Sequence, residues 1–200
     1  MMGKNRLEAF SDGVIAIIIT IMVLEMKVPH GHDWASLQPL VPVFCSYILS
    51  FIYVGVYWLN HHHLLHAVKH VTAGVLWANL NLLFWLSLFP FVTGWVGENP
   101  SAALPAAFYG GVLFMAGMGY WILSRVIIAA DGENSLLKKA MGSDYKGNIS
   151  VLVYAGAIPL SFWNVWVAQA CYVGVALLWL VPDRRIERVL KSGSHVSSGD

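Results

Sequence analysis

Apolar positions run in long unbroken stretches, separated by short joints that carry proline, glycine or charge. The first stretch covers about residues 10–28, where Pro29 and Gly31 end it; at about 1.5 Å per residue it just crosses the hydrocarbon of a bilayer. A second covers 37–60. A third runs over 72–96 and is stopped by Gly97 and Pro100, and a fourth starts near Pro105, well suited to a first helical turn, and reaches residue 130. The stretch from Asn148 to Val181 is too long for one straight span, and the segment Pro159 to Asn164, with Ser161 inside it, is the expected break, giving 148–163 and 165–181. A single strongly tilted helix there would give five spans in place of six. In lipid every backbone amide must be satisfied within the protein, so a spanning segment is a helix or part of a closed barrel, and a barrel would alternate strictly in short runs. These runs do not alternate. The pattern predicts an all-α integral membrane protein, one six-helix domain over residues 1–190, with 191–200 a disordered tail or an expression scar.

Composition agrees. Hydrophobic residues fill 58% of 200 positions and charged residues 12%, with a mean hydropathy of +0.63, whereas a soluble domain is nearer half apolar and a quarter charged. Of the 12 Lys and Arg, Lys4 and Arg6 precede the first stretch, Lys69 follows the second, and Arg125, Lys138, Lys139 and Lys146 surround the joint between the fourth and fifth. Arg184, Arg185, Arg188 and Lys191 follow the sixth. Only Lys27 falls on the other side, so the positive-inside rule places both termini in the cytoplasm of a multi-pass protein of the inner (plasma) membrane. The first apolar run is followed by Pro29-His30 rather than a small-residue cleavage site, so it is expected to stay. Cys45 and Cys171 lie inside spans and read as small apolar packing residues rather than a disulfide or a metal pair. A net charge of +1 gives no reason to invoke nucleic acid.

The chemistry begins at the mouth of the first helix, which reads Arg6-Leu7-Glu8-Ala9-Phe10-Ser11-Asp12-Gly13. Ionisable groups there are costly, and so usually paired or functional. Equally open on the residues alone is a plainer reading, in which Arg6 snorkels and Asp12 caps the helix start.

Arg6, Phe10, Ser11 and Asp12 match the R-x-x-x-F-S-D signature of the endosomal and lysosomal potassium-channel family. The residues that follow, from Gly13 through Leu24-Glu25, look like that family's pore-lining first helix, and Trp58-Leu59-Asn60-His61 looks like its W-x-x-H element. With the helix number and chain length, the chain resembles a bacterial member of the family up to about Arg188. The resemblance implies a potassium-selective, ungated or weakly gated cation channel, not an enzyme, without the T-V-G-Y-G carbonyl filter of ordinary potassium channels. It implies no cofactor, with potassium as the permeant ion. Eukaryotic members are similar to two such six-helix repeats in one chain working as dimers. A single signature therefore implies a homotetramer, with four copies of the first helix lining a central pore in the bilayer.

By the family pattern Ile17 and Thr20 line the constriction, and Leu24 is carried over beside them. At about 100° per residue, Ile17, Thr20 and Leu24 fall at about 0°, 300° and 340°, and Gly13 at about 320° extends the face toward the cytoplasm. Such a stripe is also what ordinary helix packing produces. Asp12 sits about 140° away from Ile17 and must look toward neighbouring helices. Arg6, Ser11 and Asp12, with Phe10, are therefore expected to form a buried, charge-paired anchor, with Asn60, His61 and the Trp58 indole as partners. Glu25, near the outer end, either enriches cations at the mouth or is a solvated end-of-helix acid.

A competing signal is the cluster His61, His62, His63, His66 and His70. His62, His66 and His70 recur every four residues, along one helix edge, as haem or metal ligands could. An intramembrane haem or metal protein is therefore the second hypothesis. It lacks an H-E-x-x-H, a carboxylate within the cluster and a second histidine group on another helix. Interfacial polar groups at the end of a span are the plainer reading, and proton sensitivity of conduction is open. A secondary transporter, the third, would show broken helices in two matching halves, and no repeat is visible. Pro90, Pro159 and Gly110, Gly111, Gly117 and Gly119 read as kinks and close-packing positions.

Overall fold

A computed structural model describes residues 3–68, 70–132, 137 and 145–180. The expected tail, and the basic residues 69, 138, 139, 184, 185, 188 and 191, lie outside the described residues. Helix α1 is Lys4–Leu24, entered from an extended Gly3. It contains no proline, and its isoleucines are tolerated because the helix satisfies every amide internally where water is absent. It begins six residues before the apolar run, so the whole Arg6–Asp12 segment is helical. Asp12, two turns inside, is therefore not a cap.

A 3-10 segment, Trp34–Leu40, is capped by Asp33, whose carboxylate accepts from the Ser36 amide at 3.0 Å. It leads into α2, Val41–His66, with proline in the first turn. Helix α3 is Ala73–Ser87, capped by the Thr72 hydroxyl, which accepts from the Val75 amide at 3.3 Å. The chain bends at Leu88 and continues as α4, Phe89–Glu98, where Pro90 sits in the first turn and needs no amide partner. Helix α5, Ala103–Asp131, is followed by Gly132 at φ 72°, the left-handed conformation that favours glycine after a helix. Helix α6 is Tyr145–Trp163 and α7 is Val165–Leu180. They part at Asn164, whose side chain accepts from the amides of Trp166 and Val167 at 3.0 and 3.3 Å. The joint is thus an N-cap, and Pro159 sits inside α6 rather than breaking it. Among the described residues, four spans are long and apolar enough to cross a membrane: α1, the 3-10 segment with α2, α3 with α4, and α5. Helix α7 is apolar and shorter.

Tie points fix an alternating course. Lys4 donates to the His66 carbonyl, which sets the start of α1 beside the end of α2. Lys27 pairs with Glu98 at 3.0 Å, which joins the far end of α1 to the end of α4. Gln169, early in α7, donates to the Pro100 carbonyl at 2.7 Å, and Lys146, at the start of α6, donates to the Leu178 carbonyl at 3.3 Å. The interior is aromatic. Tyr53 meets Phe89 and Tyr154, and Tyr109 meets Phe89 and Tyr172, with ring centroids 5.6–6.4 Å apart. A buried phenol needs a partner; Tyr53 donates to the Tyr172 carbonyl, and Tyr172 to the Ala106 carbonyl at 3.1 Å. Helix α4 comes against α2 at Gly97, where a Cβ would stand 2.8 Å from the Val43 Cα and 2.6 Å from the Ser46 hydroxyl.

Candidate functional site: the outward face of α1 and its anchor

Helix α1 has two faces of different character. Leu7, Ser11, Ile15, Ile18 and Met22 recur at three- and four-residue steps and are buried against the rest of the chain. Gly13, Ile17, Thr20 and Leu24 lie roughly opposite at about 100° per residue, and all four are exposed, Ile17 at 58% and Leu24 at 80%. The Thr20 hydroxyl donates to the Ile17 carbonyl at 2.9 Å, so its proton is committed to the helix and its lone pairs face outward. Glu25 follows directly at the end of the helix and is exposed.

On its inner side α1 makes polar contacts with α2 and α3. The Trp58 indole donates to the Asp12 carboxylate at 3.0 Å, tying α2 to α1. Ser11 is fully buried. Its hydroxyl donates to the Leu7 carbonyl at 2.9 Å and accepts from the Asn79 amide at 3.0 Å. The Asn79 carbonyl oxygen meets His61 Nε2 at 2.7 Å. A chain of polar contacts, His61–Asn79–Ser11, therefore crosses three helices at a depth where each of the three residues is 0–1% exposed.

Three expectations need correction. Arg6 is exposed on the outward side of α1, and among the described residues no ion pair joins it to Asp12, because Arg6 lies about 120° around the helix from the acid. Phe10, 49% exposed, also lies on the outward side rather than in the anchor. Asn60 does not reach α1: its amide donates to the Val56 carbonyl of its own helix at 2.8 Å. The member that replaces it, Asn79, is one of two amides, with Asn81, in an otherwise apolar turn of α3, and the sequence does not say which of the two turns inward.

The histidine ladder is shorter than its spacing suggests. His62 and His66 stack with ring centroids 6.3 Å apart, but α2 ends at His66, which leaves His70 off the helix edge. Among the described residues no group of three or more histidines, cysteines or acids is placed to hold a metal ion.

Residues 6–90 match the family described as "Endosomal/lysosomal potassium channel TMEM175". A potassium channel of Chryseobacterium sp. (strain P1-3) is 57% identical over 190 residues, 95% of this chain and 99% of that one. The endosomal/lysosomal proton channel TMEM175 of Homo sapiens is 38% identical over 42% of this chain and 19% of its own length. Among solved structures, a lysosomal potassium-selective channel TMEM175 homolog from Chamaesiphon minutus superposes with a TM-score of 0.75 at 28% identity, covering 89% of this chain and 96% of that one. The match over nearly the whole length of both chains, together with the shared fold, shows that this chain belongs to the TMEM175 family.

Proposed function

We propose that four copies of this chain form a potassium-selective cation channel in which α1 lines the pore and Ile17, Thr20 and Leu24 make an apolar constriction, with Gly13 on the same face toward the cytoplasm. Relatives named as potassium channels support the activity. The observation that carries the pore face is the division of α1: its inner stripe is fully used inside the subunit, while Ile17, Thr20 and Leu24 are turned away from it. All six spans, α6 and α7 included, cross the inner membrane with both termini cytoplasmic, a reading that the distribution of Lys and Arg supports.

A ring of isoleucine and leucine cannot replace a hydration shell. Selectivity then comes from the width of the constriction and the cost of dehydration, which is lower for potassium than for sodium, and the outward lone pairs of Thr20 supply a partial polar substitute one turn away. Such a neck prefers potassium modestly and dewets when it narrows. The anchor serves this by holding the orientation of α1 through Asp12 and Ser11 rather than by touching ions. Glu25 contributes negative charge at the outer mouth.

The test is flux and reversal potential of the purified protein in liposomes under bi-ionic potassium and sodium. Ile17→Asn and Thr20→Ala should each shift the reversal potential toward equal permeability. Unchanged reversal potentials in both variants would refute this pore face.

A further inference from the structure

Away from α1, a cavity of about 470 Å³ lies between α2, α5, α6 and α7, within the range of about 300–1,000 Å³ typical of ligand sites. Its inner wall is aromatic, with Tyr53, Tyr57 and Tyr154 on the side of the core. Gly117 on α5 keeps the space open, since a Cβ there would already touch Val151 at 3.4 Å. Several polar groups of the wall are spent within the protein. Ser150 donates to the Lys146 carbonyl at 2.7 Å and accepts from the Trp179 indole at 2.8 Å, and the Asn60 amide bonds its own helix. A guest therefore meets an apolar interior with little to bind a polar head.

The entrance has a different chemistry. Two lining residues at the mouth, Trp121 and Leu152, are exposed on the flank of the bundle, so the cavity opens sideways, toward where lipid lies around a spanning helix. Both tryptophans of the lining carry a cation on the ring. The Arg125 guanidinium stands 5.3 Å from the Trp121 ring centre, and the Lys146 ammonium stands 5.9 Å from that of Trp179. Arg125 is exposed, one turn beyond Trp121 on the same edge of α5. The lining lies in the halves of the helices toward the ends of α2, α5 and α7 and the start of α6. The orientation proposed above makes that end cytoplasmic, where anionic lipids are concentrated and basic pockets between helices hold their head groups.

The geometry points to a lipid site: one acyl chain of an anionic phospholipid occupies this cavity, with its phosphate at the exposed Arg125, while the buried Lys146 stays on the Leu178 carbonyl. Charge complementarity selects this occupant over a neutral lipid, and the lateral mouth selects it over a water-borne ligand. Helix α2 meets the cavity with Tyr53, Val56, Tyr57 and Asn60 and meets α1 and α3 with Trp58 and His61. A seated chain thus braces the helix that holds α1.

Native mass spectrometry of the purified full chain in detergent reads this out with phosphatidylglycerol and phosphatidylcholine of identical chains. Phosphatidylglycerol should be retained about tenfold more tightly, and Arg125→Gln should lower that preference by about fivefold while Arg125→Lys keeps it. Gly117→Leu should release both lipids, and Leu152→Trp, at the exposed mouth, gives the same reading without a buried change. Equal retention of the two lipids, retention of phosphatidylglycerol unchanged by Arg125→Gln, or thermal stabilisation by inorganic phosphate alone to the same degree overturns the assignment. Because binding is measured in detergent, it is independent of ion flux and of which way the chain is inserted.

Discussion

Replacing Asn79 by leucine separates the polar contact from the shape of the side chain, because the two have the same number of heavy atoms branched at the same carbon. Two hydrogen bonds are lost, to His61 at 2.7 Å and to Ser11 at 3.0 Å. Ser11 keeps its bond to the Leu7 carbonyl, so only its acceptor side is vacated. His61 is 1% exposed and loses the partner of Nε2. In water-soluble proteins each bond contributes about 1 kcal/mol, and a stranded buried group costs about 1–3 kcal/mol. Inside a membrane the unfolded chain also finds partners, and measured couplings average about 0.6 and reach about 1.7 kcal/mol. The two contacts together therefore stabilise the fold by about 1–3 kcal/mol.

A double-mutant cycle tests the number. Asn79→Leu and His61→Phe should each destabilise the protein in denaturation by sodium dodecyl sulfate from bicelles. The double variant should cost less than the sum by about 0.6–1.7 kcal/mol, since neither partner is then left stranded. Strict additivity, or an Asn79→Leu variant within about 0.5 kcal/mol of the parent, would show that the three residues are neighbours without being coupled.

Asp12→Ala removes the acceptor of the Trp58 indole and should lower the yield of assembled channel while the surviving tetramers keep their potassium-to-sodium ratio; well-assembled tetramers of normal conductance and altered selectivity would contradict the anchoring role. Gly97→Ala drives a methyl into the Val43 backbone and should cost about 1–3 kcal/mol by the same denaturation, whereas Gly94→Ala, with open space around it, should be neutral; equal effects would place the close approach elsewhere. Lys27 is held above the ordinary lysine value by its hydrogen bond to Glu98 and then by that carboxylate's charge. A raised folded value makes the contribution complete below about pH 10 and lost as pH rises through the folded value, so Lys27→Met should match the parent in thermal melts only at strongly alkaline pH. The same variant leaves Glu98 and Glu25 unneutralised at the outer end. Single-channel cation conductance should rise at low salt and return to the parent value at about 1 M salt; an increase that persists at high salt would mean a change in the pore rather than in the mouth.

Segment length was enough to read the helical class, because a run of about twenty apolar residues has few other uses. What the sequence could not carry was which helix meets which. Asp12 was legible as a group needing a neighbour, and Trp58 was among the candidates, since an intramembrane acid without a donor is untenable. Asn60 and Asn79 are equally polar on the page, and only the packing of α3 against α1 decides that Asn79 reaches Ser11 while Asn60 turns back on its own helix. The two faces of α1 show the same limit more sharply. Ile15 and Ile18 are buried and Ile17 is exposed within four residues of identical chemistry, because in lipid the inner and outer faces of a helix are both apolar and the contrast that marks a soluble core is missing. Periodicity could group Gly13, Ile17, Thr20 and Leu24 on one face, but it could not say that this face is the one its own subunit leaves uncovered. Only the small and polar residues break that ambiguity. Ser11 and Thr20 each return a proton to their own helix, at the Leu7 and Ile17 carbonyls, and what separates them is that Asn79 of α3 fills the acceptor side of Ser11. In a chain this apolar, orientation therefore shows in the few hydroxyls and amides only once the packing says which of them meets a partner on another helix.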